Sequence, residues 1–138
     1  MKPVHIAALT AAAFAAAVGF WMLRSFDPNA AGNPFPGCIF RALTGYDCIG
    51  CGVTRMFHAL AHFDLLRAFA MNPLAFVLTA ISPFLIAWKV GWQPAALGQL
   101  VRFLSQPKLW LLVLPSYWIA RNLPWPPFSW LAPGGLIS

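Results

Sequence analysis

Three thiols and an arginine crowd one part of the chain: Cys38, then Cys48-Ile49-Gly50-Cys51-Gly52-Val53-Thr54-Arg55. The C-x-x-C spacing lets two sulfurs approach one another or share one metal ion. Gly50 and Gly52 permit a tight turn beside them. Cys51 lies where a helical pattern starts, so free amide N–H groups and the positive end of the helix dipole would favour its thiolate. Three outcomes fit these residues. A disulfide could join Cys48 to Cys51 or to Cys38; if it is redox-active, Cys48 or Cys51 attacks and the other resolves. A metal such as zinc could sit on Cys38, Cys48 and Cys51. The thiols could also be inert groups packed in a turn.

A histidine fourth ligand is strained. His58 and His62 share a helical stripe with Cys51 and Arg55, but seven residues separate Cys51 from His58, about 10.5 Å along an axis. Hydrogen bonding at an interface is the plainer role for both histidines. Thr54 and Arg55, at a helix start near a membrane, could bind a lipid phosphate or another small anion. Arg121-Asn122 closes a later apolar run and would join them if that run crosses back. The plainer alternatives are that Arg121 snorkels and that Arg55 pairs with Asp47 or Asp64. No Ser-His-Asp arrangement and no phosphate loop is present. With three acids in the chain, carboxylate acid–base chemistry has few candidates.

The elements that carry these residues are apolar. Of 138 residues, 60% are hydrophobic and 9% charged, against about 25% charged in a soluble domain. Lipid is the natural solvent. The net charge is +6, but the basic residues stand singly at the ends of apolar runs. That is the pattern of membrane anchors and argues against a nucleic-acid partner.

Residues 4–23 form the first apolar run, flanked by Lys2, Trp21 and Arg24. It is long for a signal-peptide core and ends in bulky residues, so it reads as an uncleaved anchor. Residues 25–50, with Pro28, Pro34 and Pro36, read as turns and extended chain. Residues 51–71 regain helical spacing but are too polar to span, which predicts two short interfacial helices with a break near His62-Phe63-Asp64 and Asp64 as a cap. Asn72-Pro73 is a helix start, opening a second span over 73–89 that Pro83 kinks. Residues 93–108 read as a polar connection. A third, short span covers 109–122 and contains Pro115. The Pro- and Trp-rich tail after Asn122 is expected on the surface.

The cysteine signature resembles that of a bacterial family of small membrane proteins of unknown function, which reads Cys-Pro-x-Cys-Gly-x-Thr-Arg. Cys48, Cys51, Gly52, Thr54 and Arg55 carry the likeness. Phe26-Asp27-Pro28, Cys38, Leu43-Thr44-Gly45, His58-Ala59-Leu60, His62, Asp64, Asn72-Pro73-Leu74 and Arg121-Asn122 extend it over most of the chain. Ile39 and Ile49 stand where the family has proline, and Phe63 where it has glycine. The first two loosen the turn; the third weakens the expected break after His62. The resemblance implies a shared architecture and site, and no reaction.

The expectation is therefore an all-α integral membrane domain over 1–138, with about three transmembrane helices and one or two interfacial helices after a cysteine loop. Its expected place is the bacterial inner membrane. Lys2 ahead of the first span puts the loop in the periplasm. The leading function is an accessory or assembly subunit, or a binder of a lipid headgroup or small anion, through Arg55, Arg121, Thr54, Asn122, His58 and His62. A larger membrane complex is a natural partner. The alternatives are a thiol-disulfide enzyme on Cys48 and Cys51, or a metal-binding protein on Cys38, Cys48 and Cys51.

Overall fold

The computed structural model describes residues 3–137 and is all-α; Lys2, on which the orientation argument leaned, lies outside the described residues. The elements are α1 (Pro3–Ser25), α2 (Ile39–Thr44), α3 (Val53–Ala61), α4 (Leu65–Met71), α5 (Pro73–Val90), α6 (Gly98–Leu104) and α7 (Pro107–Ala120). Short 3₁₀ turns occupy Ala95–Leu97 and Phe128–Leu131.

α1 and α5 are long and apolar enough to cross a membrane. In a soluble protein such helices would be buried by their neighbours. Here 0% of the α1 window and 6% of the α5 window are buried within the chain, so their apolar surface is left for lipid. Asn72 starts α5 by accepting the Ala75 N–H at 3.1 Å, with Pro73 behind it. Gly91, at φ 118°, ends it. Pro83 lies inside the helix.

α3 and α4 form a helical hairpin whose core is Met56, Ala59, Ala68 and Met71. The break between them is sharp despite the missing glycine: Phe63 itself takes φ 61°. The Phe63 and Asp64 N–H groups bond back to Leu60 and Ala59, and Asp64 caps α4 through the Arg67 N–H at 3.0 Å.

Two sequence expectations need correction. Residues 39–44 are helical, not extended, because Cys38 opens a turn that Gly45 closes in the left-handed region. The stretch 93–108 is not a plain connection: Ala95–Leu97 and α6 fold there, with Val101 buried and Trp110 Nε1 donating to the Leu104 carbonyl at 2.7 Å. The tail after Asn122 is exposed or half-buried throughout its described residues, and the Gly134 N–H donates to the Ala70 carbonyl at 3.0 Å.

α7 has 14 residues, about 21 Å of helix. Its last turn meets the cysteine layer and the head of α5. Tyr117 Oη donates to Asn72 Oδ1 at 3.0 Å, and Trp118 Nε1 donates to the Asp47 carbonyl at 3.0 Å. Asn122 brackets Asp47, accepting its N–H at 2.8 Å and donating to its carbonyl at 2.9 Å.

Candidate metal centre

Cys38 is the residue that opens α2. Cys48 and Cys51 stand at the ends of a turn in which the Cys51 N–H donates to the Cys48 carbonyl at 3.1 Å. Val53 N–H to Gly50 carbonyl, also 3.1 Å, continues the turn into α3. The three sulfurs converge. Cys48 Sγ is 3.2 Å from Cys38 Sγ and 3.0 Å from Cys51 Sγ, and all three lie within 4.8 Å of one another. These separations exceed the ~2.05 Å of a disulfide. Around a tetrahedral ion with metal–sulfur bonds of ~2.3 Å, sulfurs stand about 3.8 Å apart. The Cys38–Cys48 and Cys48–Cys51 edges would each need to lengthen by less than about 1 Å to take one.

The thiols differ in acidity, and not as the sequence suggests. Burial pushes Cys51 up to about 12, with the neighbouring Cys48 and Cys38 thiols adding to the rise. Its side chain sits before the helix, where Sγ accepts the Cys48 N–H at 3.1 Å and lies 3.0 Å from Cys48 Sγ. The helix-start effect expected at Cys51 is thus outweighed by loss of water. The Arg41 backbone N–H instead draws Cys38 down to about 7, helped by the Cys48 and Cys51 thiols.

A basic clamp holds the turn from below. Arg121 is 1% exposed. Its Nη1 donates to the carbonyls of Cys48 at 3.1 Å and Ile49 at 3.0 Å, and its Nη2 donates to that of Cys51 at 2.9 Å. Its Nε has no partner among the described residues. The Asn72 amide adds two more bonds, to the Ile49 carbonyl at 3.1 Å and the Cys51 carbonyl at 3.2 Å. Ile49 supplies no proline rigidity; these bonds fix the turn in its place. Asn72 was visible in the sequence only as a helix cap. Nothing local marks its second task, which joins residues 21 and 23 positions apart.

Above the turn lies a cleft of about 600 Å³. Cys38, Cys48, Cys51, Thr54 and Arg55 line it, with Arg41 and Pro133 at its edges. Arg55 pairs with neither Asp47 nor Asp64: Asp47 binds Arg41, and Asp64 caps α4. The histidines lie elsewhere. His58 Nδ1 donates to the Leu23 carbonyl at 2.6 Å, tying α3 to the end of α1, and its Nε2 is 3.9 Å from Asp27. His62 stacks on His58 with ring centroids 4.6 Å apart. The structure thus brings Thr54 and Arg55 to the thiols on the cleft side, puts Arg121 and Asn122 behind them, and leaves His58 and His62 on the α1 side.

Residues 38–86 match the protein family DUF2752, described as of unknown function. The matched segment begins at the first thiol and ends within α5. It holds the whole cysteine triangle, the hairpin and Asn72, but not Arg121 or α1. No curated protein and no solved structure matches the chain.

Proposed function

We infer that this chain is a multi-pass inner-membrane protein whose Cys38, Cys48 and Cys51 hold one thiophilic metal ion. The observation that carries the reading is the convergence of three sulfurs on a turn fixed from behind by Arg121 and Asn72. Soft thiolates select zinc or copper(I) among common metals, and zinc suits a site that keeps a position open to a cleft. Sulfurs near but outside bonding distance favour a shared ion over a completed thiol-disulfide couple. The centre then serves an accessory or assembly role at the membrane surface, with the bilayer as its constant partner.

α7 is the third crossing in this reading. α5 leaves from Asn72, beside the cysteine turn, and the end of α7 returns to the same turn through Arg121 and Tyr117. A chain that leaves and returns to one level has an odd number of crossings when α1 is counted with them. The loop that bears the cysteines then faces the periplasm if the amino terminus is inside.

Elemental analysis of the purified full chain, combined with a free-thiol count before and after reductant, tests the reading. One metal per chain, with three thiols titratable only after chelation and denaturation, is the expected result. Absence of metal together with two extra thiols after reduction would shift the assignment to a redox pair.

A further inference from the structure

The three-thiolate group includes no fourth protein ligand among the described residues: the potential donors that converge are Cys38, Cys48 and Cys51 alone. A tetrahedral ion on them keeps one position for an outside ligand. The backbone side of the turn is filled by Arg121 and Asn72, and the other side is the cleft. The open position therefore points to a space of about 600 Å³ that also carries Thr54 and Arg55.

Charge identifies what belongs there. Three thiolates around a divalent ion leave one negative charge. Arg41 is cancelled by Asp47. Arg121 is a buried cation whose bonds go to carbonyls, with no carboxylate partner. Arg55 lies four positions after Cys51 and has no hydrogen-bond or ion-pair partner among the described residues. The loaded centre with its two arginines thus carries one net positive charge. Water as the fourth ligand would leave that excess in place; a monoanion removes it.

We propose that the metal's fourth position takes a small monoanion from the cleft, with one donor atom on the metal and a second acceptor on the Arg55 guanidinium. This rests on the three-thiolate reading. Carboxylates and pseudohalides have the required two acceptors. Metal and anion then bind as one unit: the ion supplies the coordination bond, and Arg55 supplies charge and a planar donor pair. Thr54 offers a hydroxyl on the same wall.

The test uses the full chain in detergent micelles, loaded with cobalt(II) and titrated with azide. Thiolate-to-cobalt charge-transfer absorption reports the metal, and the ligand-field bands report the fourth ligand. We expect a saturable change in the ligand-field bands with charge transfer retained. Arg55→Gln should weaken azide about tenfold, the loss of roughly one charge-assisted contact, and Arg55→Lys should weaken it less. Charge transfer without any response to azide means a closed fourth position, and the proposal falls while the metal reading stands. Unchanged azide affinity in Arg55→Gln overturns the assignment of Arg55. No charge transfer at all removes both readings together.

Discussion

Arg121 and Cys51 are 70 positions apart in the chain, yet Arg121 Nη2 donates to the Cys51 carbonyl at 2.9 Å. With the bonds to Cys48 and Ile49, this guanidinium organises the turn that presents two of the three sulfurs. An arginine expected to face an anion or snorkel into lipid is instead spent on backbone oxygen. Its charge still acts on the site through the turn it supports.

Arg121 should be the most sensitive position outside the cysteines. Arg121→Met removes three charge-assisted bonds to carbonyls that each keep one other donor, the Cys51 N–H or the Asn72 amide, and should lower stability by about 3 kcal/mol, since a hydrogen bond to a charged group contributes ~1.5–3 kcal/mol. Arg121→Lys should recover only part of this, because one ammonium cannot reproduce the planar fork. Denaturant unfolding in micelles, followed by tryptophan fluorescence, measures both. Equal stability of Arg121→Met and the parent would show that the clamp is not holding the turn.

The thiols should label in a fixed order in the metal-free protein. Cys38, held down to about 7, should react with iodoacetamide at a rate that rises through neutral pH. Cys51, buried and pushed up to about 12, should stay unmodified across the same range. The stabilisation that goes with the depressed Cys38 value is present above the ordinary 9.0 and is lost as pH falls through about 7. Mass mapping of labelled peptides against pH checks the order; Cys51 reacting as early as Cys38 would contradict it.

Two positions with left-handed backbone should respond in opposite ways. Gly52 has φ 86°, and a Cβ there would collide with the Met71 carbonyl. Gly52→Ala should destabilise by roughly 2 kcal/mol, combining left-handed strain with a clash against backbone. Phe63 holds φ 61° with its ring 82% exposed. Phe63→Gly should be neutral or stabilise by up to ~1 kcal/mol, because relief of strain competes with the entropy of glycine. Thermal unfolding of the two variants in the same detergent gives the comparison, and a stable Gly52→Ala would mean that α3 and α4 pack less closely than they are placed.

If α7 crosses as proposed, the carboxyl-terminal tail lies on the side of the cysteine turn. Alkaline phosphatase fused after the last residue should be active, and green fluorescent protein there should be dark. Fusions after Trp92 should show the reverse. A fluorescent carboxyl-terminal fusion combined with a phosphatase-active Trp92 fusion would invert the orientation, and the same side for both would remove α7 as a crossing.

What the sequence determined by itself is local. Apolar runs with single flanking charges specify helices for lipid, because lipid leaves no other partner for backbone groups. Asn72-Pro73 and Asp64 mark helix starts through bonds to residues three positions on, and Cys48 to Cys51 is a turn because its glycines and spacing require one. The tertiary structure decided what lies far apart in the chain. It brought Cys38 to the pair, set Arg121 and Asn72 behind the turn, and folded the tail under α4. It also raised the Cys51 thiol where a helix start would lower it, since desolvation outweighs the field of a nearby helix start. Propensity acts between neighbours, whereas burial and convergence depend on which distant segments pack together.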